Sequence, residues 1–190
     1  MRVLALDAST KCGWALFVDG ELKESGALRP VFVEGFNPNS PEVTRDPHYP
    51  YNTVYAAREV ASLVRRLVWE KGPLDKLVCE NTNKGKNRST QRILEFIHYA
   101  LLSLFEQRQD LFCYMDTSEW RKIVGLWMSK EDKKNNRQVS IGKKRGKITK
   151  KHLSVRMVNE KFNKSLKLKD NDEADAILLG LAYVTKLAQT

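Results

Sequence analysis

Residues 2–28 most constrain the fold, because three short apolar runs follow one another with only turn residues between them. The first run, 3–6, has the length and composition of a buried strand, and it stops at Asp7. Small and polar residues at 8–13 predict a turn, and Asp19-Gly20 is a strong hairpin signal between the second and third runs. The sequence therefore predicts a three-stranded antiparallel meander with one carboxylate at the end of its first strand.

The remainder of the chain alternates helices with single strands. Apolar periodicity predicts helices over 53–71, 88–106, 117–124, 150–162 and 171–187, and apolar runs predict strands over 74–79 and 111–115. Thr149 is a candidate N-cap, and Asp170 with Glu173 forms a candidate capping box for the last helix. Together these elements predict one α/β domain over 1–190, with a mixed sheet flanked by helices.

Two segments carry no such periodicity. Residues 29–52 hold five of the six prolines and are predicted to form an irregular insertion. Residues 126–147 are rich in Lys, Arg, Asn and Gly and contain too few apolar residues for a core, which predicts a mobile basic loop. Trp127 in this loop is expected to anchor it to the core, and stacking on a nucleic-acid base is the alternative.

The charge distribution indicates a polyanionic partner. The net charge is +10, and residues 128–169 hold fifteen Lys or Arg against three acids. Such a concentrated excess is typical of nucleic-acid binding. The first apolar run is interrupted at Asp7, so we expect neither a signal peptide nor a membrane span, and a cytoplasmic location. Three isolated cysteines and three scattered histidines favour core residues over a zinc site.

The predicted helix over 88–106 is apolar nearly all round. A helix of this kind needs a second covering surface besides the sheet. Deep burial within the monomer and a homodimer interface both satisfy that need, and the sequence leaves the two open.

Four acids occupy positions where they can converge. Glu80 closes the strand over 74–79 as Asp7 closes the first strand, and the two meet if these strands are parallel neighbours. Asp172 and Asp175 are three residues apart and share one helix face, while Glu173 points about 100° away. A cluster of four carboxylates needs cations, and all-oxygen ligands suit Mg²⁺ or Mn²⁺. Two such ions support phosphodiester hydrolysis.

These motifs resemble the RuvC family of Holliday-junction resolvases, within the RNase H-like superfamily. The matching motifs are Asp7 after Val-Leu-Ala-Leu, the Gly-Trp-Ala of 13–15, Glu80 and the Asp-Glu-Ala-Asp-Ala of 172–176. Asn87, seven residues past Glu80, and residues 120–125 followed by Lys151 and by Met157-Val158 support the resemblance.

The resemblance implies an RNase H-like mixed five-stranded sheet and a Mg²⁺-dependent crossover junction endodeoxyribonuclease. It also implies a homodimer, here through the 88–106 helix, that nicks opposed strands of a four-way junction with two Mg²⁺ ions per active site, replaceable by Mn²⁺. Asp7, Glu80, Asp172 and Asp175 would be the metal ligands, and Lys151 matches a lysine near the scissile phosphate. With the basic segments, it predicts these DNA-contacting residues: Lys84, Lys86, Asn87, Arg88, Arg121, Lys122, Lys143, Lys144, Arg145, Lys147, Lys150 and Lys151.

The chain also departs from that family. Asn83 stands where the family commonly has an aromatic that stacks on junction bases, so base opening by this residue is not expected. The long connections over 29–52 and 125–151 resemble those of viral or phage members, which suggests a bacterial, phage-infected or viral setting. Two other functions share the fold: an RNase H-like nuclease on RNA or an RNA:DNA hybrid, and a non-catalytic nucleic-acid binding protein.

Overall fold

The structure is a computed structural model of the chain that describes residues 1–28, 51–81, 88–140 and 146–189. The strands are β1 (Arg2–Asp7), β2 (Cys12–Val18), β3 (Glu21–Leu28), β4 (Lys76–Glu80) and β5 (Phe112–Met115). The α-helices are α1 (Tyr51–Lys71), α2 (Arg88–Leu104), α3 (Thr117–Ile123), α4 (Lys130–Ser140), α5 (Lys150–Phe162) and α6 (Asn171–Leu187). Short 3₁₀ turns, Glu106–Leu111 and Leu168–Asp170, precede β5 and α6.

The five strands form one mixed sheet in the order β3-β2-β1-β4-β5. The first three strands pair antiparallel, as the hairpin signals predict, whereas β1, β4 and β5 run parallel. Parallel strands end at the same edge of a sheet, and Leu6 pairs with Cys79 directly before the two acids. The predicted α/β class with a five-stranded mixed sheet is therefore confirmed.

Helices cover both faces of this sheet. Leu4 and Leu6 of β1 face α1 and α2, while Val3 and Ala5 face the layer that contains α6. All four of these side chains are completely buried, which explains why β1 is a continuous apolar run rather than an alternating one. Among the described residues, no helix has the length and apolar content needed to cross a membrane.

The sheet and α6 approach each other closely at two glycines. An ideal Cβ built on Gly13 of β2 would lie 1.9 Å from the backbone oxygen of Asp172, and one on Gly180 of α6 would lie 2.4 Å from the ring of Phe17. No side chain fits at either position, so these glycines allow α6 to rest on β1 and β2. Since Gly13 pairs with Asp7, the first turn of α6 lies beside the end of β1.

The structure differs from the sequence prediction within 126–147, where residues Lys130–Ser140 form the helix α4 rather than a loop. This helix is held by polar contacts rather than by an apolar face. The buried Asp132 accepts hydrogen bonds from both terminal nitrogens of Arg156 on α5. The Asn136 side-chain amide donates to the Ile148 carbonyl and accepts a hydrogen bond from the Ile148 N–H. Apolar periodicity cannot detect a helix stabilised in this way.

The expected anchoring role of Trp127 is wrong. This side chain is 65% exposed, and the neighbouring Leu126, only 6% exposed, packs into the core instead. The predicted insertion over 29–52 lies almost entirely outside the described residues, which resume at Tyr51.

The two predicted helix caps have different outcomes. Thr149 is the N-cap of α5, and its backbone N–H donates to the ring of His152, so that prediction is confirmed. The capping box at α6 is wrong, because Asp170 makes no side-chain cap there. Glu173 instead accepts hydrogen bonds from Ser25 of β3 and from Lys164 in the connection that follows α5.

Candidate acidic active site

The ends of β1 and β4 place Asp7 and Glu80 side by side, as the sequence predicts for parallel neighbours. Glu80 is oriented by the start of α3, where Trp120 donates its indole N–H to Oε2 at 2.8 Å and Thr117 donates its hydroxyl to Oε1. Trp120 is completely buried, so the position of the Glu80 carboxylate is fixed by the core itself.

The first turn of α6 supplies the other two acids. Asp172 lies next to the turn between β1 and β2, where Lys11 Nζ is 3.0 Å from its Oδ2, and Asn171 donates to its Oδ1 at 2.7 Å. Asp175, one turn later, has a buried Oδ1 atom without a hydrogen-bond partner among the described residues. A buried acceptor without a donor is costly and commonly marks a place where a ligand or ion belongs.

Electrostatic interactions indicate that the four acids form one cluster. Burial raises the pKa of Asp7 well above its ordinary value, and the carboxylates of Asp175, Glu80 and Asp172 raise it further, while Lys151 opposes them. The two strands and the one helix that carry the acids, β1, β4 and α6, also meet at this edge of the sheet by their pairing and packing. The structure therefore brings together all five predicted catalytic residues, Asp7, Glu80, Lys151, Asp172 and Asp175.

The pKa of Asp175 is raised toward neutrality. Burial raises its pKa to about 6, and Glu80 raises it as well, whereas a hydrogen bond from Ser154 and the charges of Arg121 and Lys151 lower it. A carboxyl group with such a pKa is an unfavourable anion unless a cation is nearby. Perturbation of this kind, caused by burial and by specific neighbours, is typical of functional sites.

The chemistry of the cluster fits a hard divalent cation, because four carboxylates provide only oxygen ligands. In the part of the chain that is described, however, no three His, Cys, Asp or Glu side chains are arranged around a common position that could hold a metal ion. The oxygens of Glu80 and Asp172 accept hydrogen bonds or an ion pair from donors of the protein. The donor set suits a metal, and these present partners would compete with it.

Cationic side chains of α3 and α5 lie on one side of the acidic cluster. Arg121 and Lys151 both act on Asp175, and the Arg121 guanidinium stacks over the Trp120 ring at 4.8 Å. The side chains of Lys122, Lys147 and Lys150 are exposed on the same elements or beside them. Six of the remaining predicted DNA contacts lie outside the described residues: Lys84, Lys86, Asn87, Lys143, Lys144 and Arg145. Arg88 begins α2, and its side chain is not described.

Three further residues shape the cluster without being recognisable as site residues from the sequence pattern, namely Lys11, Thr117 and Ser154. Thr117 was expected only to begin a capped helix, and Ser154 lies inside α5 without any local signal. Lys11 had one available signal, since it is a cation in a short turn directly after Asp7. Its contact to Asp172 depends on the packing of α6 and not on the sequence around it.

A mixed sheet of this order, with acids at the ends of its central strands and on a helix packed across them, defines an RNase H-like fold. Within that class the chain has a RuvC-like fold. No protein-family model matches the sequence, and no curated protein matches it closely enough to count as a relative.

The similarity is to solved structures. T. thermophilus RuvC in complex with Holliday junction substrate matches with a TM-score of 0.63 at 10% identity, over 100% of this chain and 96% of that one. A second Thermus thermophilus RuvC structure gives 0.61 at 12% identity over the same shares. The yeast mitochondrial Holliday junction resolvase Ydc2 gives 0.56 at 11% identity, over 99% of this chain and 79% of that one.

Proposed function

We propose that the protein is a structure-selective endonuclease that resolves four-way DNA junctions by metal-dependent hydrolysis of phosphodiester bonds. The main support is the acidic cluster, because Asp7 and Glu80 end neighbouring parallel strands and the first turn of α6, with Asp172, lies against that strand end. The shared fold adds support, because one neighbour is bound to Holliday junction substrate and another is a Holliday junction resolvase.

Asp7, Glu80, Asp172 and Asp175 are the proposed ligands of two Mg²⁺ ions, with Mn²⁺ as a substitute. Such ions activate a water molecule and stabilise the leaving oxygen of the phosphodiester. The protein itself contributes the orientation of Glu80 through Trp120. Burial also makes the acid cluster unfavourable without cations, which favours metal loading.

The DNA backbone is proposed to lie across α3 and the start of α5. Arg121 and Lys151 act electrostatically on the acids, so a phosphate at the cluster would lie within reach of both charges. Lys147 and Lys150 are exposed beside them and extend the basic surface. Phosphate contacts of this kind hold DNA of any sequence and weaken as salt increases. Structure selectivity must therefore come from the shape of the junction.

The exposed Trp127 is proposed to stack on a junction base. Its chain segment folds back on α3, since the Leu126 N–H donates to the Arg121 carbonyl at 2.8 Å, and this places Trp127 close to a residue that acts on the acid cluster. A solvent-exposed indole beside a basic surface is a common platform for unpaired bases. Trp127 would thus take the role that Asn83 cannot perform.

A homodimer through α2 is also proposed. Tyr99 is 72% exposed, and Leu102 and Leu104 are 40% and 38% exposed, so the described residues leave part of this apolar helix uncovered. A groove of about 530 Å³ runs between α1 and α2 and is lined by Val54, Ala57, Phe96 and Tyr99 among others. A symmetric partner would cover this face and place two active sites on one junction.

The decisive experiment is a cleavage assay on an immobile four-way junction with and without Mg²⁺. We expect paired symmetric nicks from the wild-type protein, only in the presence of the metal. Glu80→Gln and Asp175→Asn remove one charged ligand each and should abolish cleavage while junction binding persists. Glu173→Gln is the matched control, because Glu173 lies on the same helix but bonds Ser25 and Lys164 outside the cluster.

Substrate selectivity is measured on the same proteins. The wild type should bind the four-way junction far more tightly than linear duplex at moderate salt, where non-specific phosphate affinity is weak. Equal affinity for both, or cleavage restricted to RNA:DNA hybrids, would contradict junction resolution and favour an RNase H-like activity. Junction binding without cleavage under any metal would instead indicate a non-catalytic binding protein.

A further inference from the structure

Lys11 occupies one side of the acidic cluster with a fixed positive charge. Its Nζ atom is 3.0 Å from Asp172 Oδ2 and also donates a hydrogen bond to the backbone carbonyl of Lys169. The contact is sheltered, since the side chains of Lys11 and Asp172 are only 26% and 16% exposed. The ion pair is therefore a defined part of the site and not a loose surface contact.

The turn between β1 and β2 holds Lys11 in this place. The Ser9 hydroxyl donates to the Lys11 carbonyl at 2.9 Å and accepts from the Lys11 N–H at 3.3 Å, which closes the turn around Ser9. Because the turn directly follows Asp7, the ammonium group enters the cluster from the same strand end as a proposed metal ligand. The backbone thus aims Lys11 at the acids of α6.

The four carboxylates consequently differ in what neutralises them. Asp172 has both oxygens engaged, by Lys11 and by Asn171, whereas Asp175 retains a buried oxygen that has no hydrogen-bond partner in the part of the chain that the structure describes. An ammonium group has three donors and no acceptor, so it neutralises a carboxylate but repels a divalent cation. A metal ion that binds Asp172 Oδ2 therefore lies close to the Lys11 ammonium group and is repelled by it.

We propose that Lys11 is a built-in competitor of divalent metal at Asp172, which neutralises this acid in the metal-free protein and weakens the binding of the ion that shares it. This inference rests on the proposed metal site and goes beyond it by assigning a competing charge to a residue that binds no metal. The ion that depends on Asp172 then binds more weakly than one that depends on the remaining acids.

The test is calorimetric titration of the protein with Mn²⁺ in the absence of DNA, which requires no catalysis. Lys11→Met keeps most of the side-chain volume and removes the charge, and we expect the weaker Mn²⁺ binding event to strengthen about tenfold, the order expected for losing one charge-assisted contact. Lys11→Arg retains the competing charge and should keep the weak event close to that of the wild type.

Lys164→Met is the matched control. Lys164 pairs with Glu173 on the same helix at 3.1 Å, and the two side chains are 29% and 14% exposed, close to the values for Lys11 and Asp172. That pair lies outside the cluster, so its loss should leave Mn²⁺ binding unchanged. A general effect of removing a lysine from this region would affect both variants.

The outcomes separate this inference from the proposed function. If the wild type binds Mn²⁺ and Lys11→Met binds it with unchanged or lower affinity, competition by Lys11 is rejected while the metal site stands. If neither protein binds Mn²⁺ at any site that Glu80→Gln affects, both proposals fail. If Lys11→Met proves unfolded by circular dichroism, Lys11→Gln takes its place under the same expectations.

Discussion

Replacement of Gly13 by alanine should misplace the acids of α6. The new Cβ would lie 1.9 Å from the Asp172 backbone oxygen and 2.2 Å from its carbonyl carbon, and neither atom belongs to a flexible side chain. Restoring a contact of about 3.5 Å requires the start of α6 to retreat by roughly 1.5 Å. Misplacement of catalytic groups by about 1 Å can lower a rate about 100-fold, so we expect a loss of at least that size.

The cost in stability should be moderate by comparison. Overpacking at a tight contact typically costs about 1–3 kcal/mol, which leaves a domain of this size folded. The assay combines urea unfolding with initial cleavage rates on the four-way junction at saturating Mg²⁺, normalised to the folded protein.

Gly180→Ala provides the control on the same helix. Its Cβ would lie 2.4 Å from a ring carbon of Phe17, so the substitution also overpacks the interface of α6 with the sheet, but more than two turns away from Asp172. We expect a similar loss of stability and a smaller loss of cleavage. A Gly13→Ala protein that cleaves at nearly the wild-type rate would refute the placement of the site by this contact, as would an equal loss in both variants.

Three further predictions concern the acids, the basic surface and the α2 face. Burial raises the pKa of Asp175 to about 6, above the ordinary 3.8. Between these two values the folded protein holds this proton more tightly than the unfolded chain does. The metal-free protein therefore loses stability as the pH rises from about 4 to about 6. Asp175→Asn should remove this pH-dependent loss. Urea unfolding in EDTA should give the variant a free energy of unfolding up to about 3 kcal/mol above that of the wild type at pH 8, and the same value near pH 4. An equal pH dependence of stability in both proteins would contradict the raised pKa. Trp127→Ala should weaken junction binding about tenfold or more in a gel-shift titration without changing thermal stability. Trp69→Ala is the control, because it removes an indole that is 84% exposed on the opposite helical layer, and it should leave junction binding unchanged. Leu102→Glu should produce a monomer in light scattering, and an unchanged mass would exclude the α2 interface.

Local patterns were sufficient to predict most elements that carry the site. The helix α6 occupies the predicted 171–187, and α5 the predicted 150–162. Asp7 and Glu80 each follow a short apolar strand. Because parallel strands end at one edge of a sheet, the proximity of these two acids could be predicted once the strands were assumed to be parallel neighbours. These features depend on side-chain periodicity and turn chemistry within a few residues, which the sequence displays directly.

Contacts between distant segments were beyond such patterns. The helix α4 was expected as a loop because its stability depends on Asp132 and Arg156, which are 24 residues apart, rather than on an apolar stripe. The exposure of Trp127 likewise follows from the neighbouring Leu126 taking the core position.

The sequence by itself thus determined the strands, the main helices and the identity of the four acids, because each is specified by its immediate neighbours. The tertiary structure alone decided that Lys11 pairs with Asp172 and that Trp120 orients Glu80. The first contact arises because the glycine at position 13 lets α6 lie directly on the sheet, and the second because α3 begins just after β5, the neighbour of β4. The charge balance of the cluster follows from that packing, since burial and the distances between charges exist only once the segments have come together.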